Sequence, residues 1–131
     1  MENISISLSE SGTADISEVR VDGVIDTLTA SELEEVFESL LKRDRYRIIV
    51  DLAGVDYISS AGWGIFISNI RDVRAHGGDI KLANMVSNVY EIYDLLEFDN
   101  VLKAYDSVEA ARDDFGVGEQ KKSRNRATNP G

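Results

Sequence analysis

The sequence predicts an α/β fold, a single domain with a mixed sheet of about five strands and about four helices. Three observations carry that reading. Segments of strand character and segments of helical period alternate along the chain, the mark of an α/β domain. Ile4-Ser5-Ile6-Ser7-Leu8 and Val19-Arg20-Val21-Asp22-Gly23-Val24 have strand character on either side of a Ser-Gly turn, which predicts two adjacent antiparallel strands at the start. Tyr46 to Leu52 contains the unbroken β-branched run Ile48-Ile49-Val50, which suits a strand covered on both faces.

The helices and remaining strands follow in order. Thr29-Ala30-Ser31-Glu32 has the form of a capping box. The helix it opens puts Leu33, Val36, Phe37, Leu40 and Leu41 on one stripe, with Glu34, Glu35 and Glu38 opposite. Lys42 and Arg43 close it at the negative end of the helix dipole. A second helix begins at the pair Ser59-Ser60. Stepping about 100° per residue from Ala61 gathers Trp63, Phe66, Ile67, Ile70 and Val73 into a core stripe, with Ile65 pointing away from it. His76-Gly77-Gly78 ends that helix, because glycine can take the left-handed conformation that stops one and His76 suits the C-terminal cap. A strand over Ile80 to Ala83 gives way to a helix near Val86 to Leu96, with Val89, Ile92, Tyr93 and Leu96 facing inward. Val101 to Ala104 reads as a fifth strand and Ser107 to Ala111 as a last helix. The domain spans residues 1–116. Residues 117–131 have no apolar period and read as a disordered basic tail.

Composition narrows the function classes. The 131 residues include no cysteine and one histidine, so disulfides and thiolate metal sites are absent, and no cofactor or metal is expected. No apolar run of membrane-spanning length and no basic-then-apolar leader occurs, which predicts a soluble, cytoplasmic protein without membrane partners. The net charge is −10; setting aside Glu119, Lys121, Lys122, Arg124 and Arg126 of the tail leaves 10 basic and 23 acidic side chains. Such a body argues against nucleic-acid binding, which needs clustered Lys and Arg, and suits a basic protein partner.

The most informative stretch runs from Asp51 to Gly64, where an apolar strand leads into the two hydroxyls that open the second helix. Ser60 falls at or next to its N-cap. A hydroxyl there can bond free backbone N–H groups of the first turn, and a phosphate there would meet the same donors and the positive end of the dipole. Gly62 and Gly64 each cost up to about 1 kcal/mol relative to Ala in a helix, so their small size points to close approach of another group. With Ile65 on the outer face, the surroundings of Ser60 read as a docking surface.

The segment Val50 to Gly64 resembles the signature of STAS domains, the bacterial anti-sigma factor antagonists and their relatives: an apolar strand ending in Asp-Leu, a short loop, then Asp-Ser-Ser-Gly-Leu-Gly or a variant. Val21-Asp22-Gly23-Val24-Ile25-Asp26 and Asp79-Ile80-Lys81-Leu82-Ala83-Asn84 fall in the order that family expects. The resemblance implies a STAS-like domain and places the phosphoacceptor at Ser60, with Ser59 as the second candidate. Ser59 stands where the family carries Asp, which removes a negative charge from beside the acceptor, and Ala61 stands where it carries a second Ser. The resemblance further implies an anti-sigma factor that is itself an ATP-dependent serine kinase as partner, and a serine phosphatase that resets the switch. Asp26 and Thr27, in the loop before the first helix, join Ser59, Ala61, Gly62, Gly64 and Ile65 as implied partner contacts. Asp26 is the candidate to meet a basic partner residue. A non-switching STAS scaffold in a larger signalling assembly is the alternative.

Enzymatic readings are weaker. Of Gly-x-Ser-x-Gly, the frame around a hydrolase serine, Ile58-Ser59-Ser60-Ala61-Gly62 keeps only the final glycine, and the sole histidine is a helix length from Ser60. A phosphorelay receiver needs two acids after the first strand, where this chain has Glu10 alone, and its candidate lysine, Lys103, lies within the last strand. Asp51 is better explained as a strand-ending residue that bonds the following turn. No dinucleotide or phosphate-loop motif occurs.

Overall fold

A computed structural model describes residues 4–11 and 15–116 of the chain; the tail expected from residue 117 lies outside them. Among the described residues the elements are β1 (Ile4–Ser11), β2 (Ile16–Ile25), α1 (Ala30–Lys42), β3 (Arg47–Ile58), α2 (Ser60–Ala75), β4 (Asp79–Ala83), α3 (Ser87–Leu95), β5 (Lys103–Tyr105) and α4 (Val108–Asp114). A 3₁₀ turn at Phe98–Asn100 precedes β5. The sheet order is β1-β2-β3-β4-β5, with β1 antiparallel to β2 and the other pairs parallel. The mixed five-stranded sheet and four helices are those the sequence predicts.

Side-chain alternation along β3 divides the core. Ile48, Val50 and Leu52 pack with Leu33, Phe37 and Leu40 of α1, Trp63, Phe66, Ile70 and Val73 of α2, and Val89 and Tyr93 of α3. Ile49 faces the other side and joins Ile16, Ala83 and Ala111 of α4. A perpendicular Phe37–Phe66 contact at 5.9 Å ties α1 to α2. The end of α4 is held through Lys81, nearly buried, whose Nζ lies 2.9 Å from Asp114 Oδ2 and donates to Tyr105 Oη at 3.0 Å.

Several sequence expectations need correction. β3 does not stop at Leu52 but runs six residues further, pairing Asp22 with Gly54, Gly23 with Val55, Val24 with Tyr57 and Ile25 with Ile58 across two register shifts. Burial of Val55 and Ile58 draws this extension onto the core, and the shifts absorb the irregular spacing. Gly54 leaves room for the Asp22 side chain, whose Oδ1 lies 1.8 Å from where a Cβ would sit. β4 ends opposite Asp51, so the far part of β3 has β2 alone as a strand neighbour. Asp51 therefore lies within its strand rather than ending it, and its Oδ1 accepts from Ala53 N and from Asn84 Nδ2, both at 3.1 Å.

The capping box at Thr29 does not form. The Thr29 hydroxyl turns back to donate to Val24 O at 2.6 Å and accepts from Asp26 N at 2.9 Å, so it is committed to the loop instead of the helix. On α3, Val89 and Tyr93 are buried as expected, but Ile92 and Leu96 remain 38% and 54% exposed. β5 begins at Lys103 rather than Val101, and α4 extends to Asp114. His76 and Gly77 end α2 as the sequence implies, with Gly77 at φ +84°. The His76 ring stacks on Tyr46 at 4.2 Å.

Candidate functional site

The start of α2 is anchored on the ends of β2 and β3. Ile58 completes β3 beside Ile25, and the next residue, Ser59, donates its N–H to Ile25 O at 2.8 Å. Ser59 is extended at φ −77°, ψ 173°, and its Oγ accepts from Gly62 N at 3.2 Å while its carbonyl accepts from Trp63 N at 2.9 Å. Ser59 is thus the N-cap and Ser60 the first helical residue. That assignment follows from spacing, because a cap hydroxyl bonds an N–H two or three residues ahead and Gly62 lies three after Ser59. The Ser60 side chain is exposed and its hydroxyl makes no hydrogen bond among the described residues.

The flanking residues divide. Gly64 is exposed and a Cβ there would meet nothing within 4 Å. Gly62 is buried, and a Cβ would fall 2.6 Å from Ile25 Cγ2 and 2.8 Å from Ile58 Cγ2. Its small size therefore lets the helix sit on the strand ends, and Gly62 leaves the set of exposed contacts. Ile65, expected on the outer face, is half-buried with part of its side chain against the core, and its carbonyl accepts from Asn69 Nδ2 at 2.8 Å. Ala61 is half-buried. Trp63 is core, as expected, at 2% exposure, with Phe98 at 4.9 Å between ring centroids.

Asp26 follows Ile25, so its loop leaves the sheet beside Ser59. Its Oδ1 accepts from Leu28 N at 2.9 Å and Thr29 N at 3.0 Å. One carboxylate oxygen is thus spent on shaping the loop, which turns Thr27 and Leu28 outward, Leu28 to 76% exposure. Leu28, Tyr57, Ile92 and Leu96 are exposed apolar residues that the sequence pattern missed. For Tyr57 the reason is the register shift between Gly23 and Val24, which breaks the alternation and places Asp56 and Tyr57 both outside.

Among the described residues, no histidine stands beside Ser60. His76 caps the far end of the 16-residue α2, roughly 24 Å of helix from Ser60 at 1.5 Å per residue. Among the described residues no group of three or more acidic or histidine side chains is placed to hold a metal ion, and no helix is long and apolar enough to cross a membrane.

The sequence profile of the STAS domain matches residues 9–111. An anti-sigma-B factor antagonist of Staphylococcus epidermidis is 24% identical over 95 residues, covering 72% of this chain and 88% of that protein. The crystal structure of an anti-sigma factor antagonist from Mycobacterium paratuberculosis superposes with a TM-score of 0.78 at 19% identity, covering 86% of this chain and 94% of the other. The phosphorylated form of the Bacillus cell fate determinant SpoIIAA gives 0.64 at 17% identity, covering 84% and 98%.

Proposed function

This chain belongs to the STAS domain family, and on that premise we propose that it is an anti-sigma factor antagonist switched by phosphorylation of Ser60. The observation that carries the reading is the free, exposed hydroxyl of Ser60 in the first turn of a long helix, beside the open Gly64. Unphosphorylated, the surface over Thr27, the outer oxygen of Asp26, Ser60, Ala61 and Gly64 binds an anti-sigma factor serine kinase, which then releases its sigma factor. The kinase transfers the γ-phosphoryl group of ATP to Ser60 Oγ, leaving ADP, and the hydroxyl proton passes to a base of the kinase. A serine phosphatase restores the binding form.

The physics distinguishes the fold from the interface. Phosphate adds about 1.5 to 2 negative charges and three acceptor oxygens. Within this chain the Ser60 and Ala61 N–H groups stand free at the helix start, so the phosphate meets donors and a favourable dipole and the fold tolerates it. Across an interface that excludes water the same charge carries a desolvation cost of several kcal/mol, and the partner is lost. Ser59 is the poorer acceptor because its hydroxyl is already the helix cap.

Phosphosite mapping of the protein from its native cells, with binding measurements on Ser60→Ala and Ser60→Asp, tests this. Phosphate on Ser60 and weakened anti-sigma factor binding by Ser60→Asp are the expected results. A chain that stays unmodified through growth and stress while holding a stable partner would replace the switch with a scaffold.

A further inference from the structure

We propose that the groove between α2 and α3 beside Ser60 is a docking slot for a basic segment of the protein partner, one that carries a large apolar anchor between Lys or Arg residues. This rests on the reading above only in taking the partner to be the protein that meets Ser60. The groove has a volume of about 300 Å³ and opens at Ser60 and Gly64, with Tyr57, Trp63, Ile92 and Leu96 as its apolar walls. It continues into a second hollow that shares Tyr57, Trp63 and Ile92 and reaches Asp56. Three of those walls, Tyr57, Ile92 and Leu96, are 55%, 38% and 54% exposed, which leaves a contiguous apolar surface uncovered next to the switch residue.

Charge selects the occupant. The two chain segments that supply the lining, residues 56–67 and 88–98, contain Asp56, Glu91, Asp94 and Glu97 and no Lys, Arg or His. None of these four carboxylates has an ion-pair partner among the described residues. An apolar slot with Asp56 in its lining and three more unpaired acids on the same chain segments repels anionic lipid and nucleic acid and attracts a cationic, apolar peptide segment. Trp63 adds a second observation: its indole Nε1–H is buried without a hydrogen-bond partner in the side chain that separates the two hollows from the core. An unpaired buried donor is costly, so an acceptor reaching it from the groove would be favoured.

The test uses the full chain, which has a single tryptophan and therefore one indole N–H resonance, at the groove. The probe is a synthetic amphipathic peptide with Leu at helical spacing and Lys elsewhere, compared with a peptide that carries Glu in place of every Lys. Saturable shifts of the Trp63 indole, Ile92 and Leu96 resonances are expected with the Lys peptide. Binding should weaken about tenfold or more with the Glu peptide, and about tenfold or more with the Lys peptide on Leu96→Glu, which sets a charge against the apolar anchor. Equal binding of the two peptides, no shift at the groove, or the same shifts arising from chain concentration alone without peptide would each overturn the slot. The wild-type comparison stands even if Leu96→Glu fails to fold. No phosphorylation enters the titration, so an unmodified Ser60 in cells leaves this result intact, and partner loss on Ser60→Asp with a silent groove removes the slot alone.

Discussion

Replacing Gly62 and Gly64 separately by Ala should move stability in opposite directions, though both lie in the first turns of the same helix. In each case Ala gains up to about 1 kcal/mol of helix propensity over Gly. At Gly64 nothing opposes that gain, since the new methyl meets nothing within 4 Å. The variant should be more stable by up to about 1 kcal/mol, or about 4 °C in Tm for a domain of this size. At Gly62 the methyl would lie 2.6 Å from Ile25 Cγ2, 2.8 Å from Ile58 Cγ2 and 3.1 Å from Ile25 O. Those groups are short β-branched side chains and backbone on paired strands, so they cannot swing aside, and overpacking costs about 1 to 3 kcal/mol. Propensity cancels in the comparison, which leaves Gly62→Ala less stable than Gly64→Ala by about 1 to 3 kcal/mol. Urea and thermal denaturation of the two proteins measure that difference directly. If they unfold together, the seating of α2 on Ile25 and Ile58 is wrong. Binding gives a second axis: Gly64→Ala should weaken the anti-sigma factor complex even as it stabilises the fold, because its methyl projects into the surface assigned to the partner.

Ser59→Ala should cost about 1 kcal/mol through loss of the helix cap, whereas Ser60→Ala should leave the melting curve in place; equal losses would mean the cap was assigned to the wrong serine. Tyr93 gives an alkaline signature. Its hydroxyl donates to Leu102 O at 2.6 Å, and burial pushes the phenol from its ordinary 10.0 up to about 12. Because the folded value is the raised one, this contribution is complete below pH about 10 and disappears as pH climbs toward about 12. Tyr93→Phe should cost about 1 kcal/mol at neutral pH and flatten the stability loss in that window, and an unchanged slope would remove Tyr93 as its source. Asp114, held below the usual carboxylate range by the Tyr105 hydroxyl and then by Lys81, works in the acid direction. Its contribution is present above the ordinary carboxylate range and fades as pH falls below it, so Asp114→Asn should shallow the acid limb of the stability profile.

The alternation of elements, the β1–β2 pair, the β3 centre and the buried stripes of α1 and α2 were legible because each follows from a local period. What the sequence hid depends on neighbours. Gly54, Asp56 and the serine pair look like loop chemistry, and only pairing with β2 across two bulges makes strand of Ala53 to Ile58. Ile92 and Leu96 fall on the inward side of any helical projection of α3, yet α2 does not close over them and they line a groove instead of a core. Thr29 has the right residue type for a cap, but Asp26 and Val24 compete for its hydroxyl and prevail. Gly62 and Gly64 are indistinguishable in sequence; the strand ends beneath one and the open space beside the other separate them. Of the implied contacts, Ser60, Gly64 and Thr27 reach the surface, Asp26, Ser59, Ala61 and Ile65 reach it in part, and Gly62 is interior.

The unequal lengths of β3 and β4 divide the molecule by timescale. Ile48 to Asp51 pair with β2 on one side and β4 on the other, whereas Val55 to Ile58 pair with β2 alone, and the ends of those two strands lead into Asp26 and Ser59. Amide exchange should accordingly report two free energies along one continuous strand: the global value up to Asp51, and a smaller, local value beyond it. Opening of that kind would loosen the surface around Asp26 and Ser59, the one proposed to meet a partner, while the domain stays folded, so that substitutions there would retune recognition and leave the melting point alone.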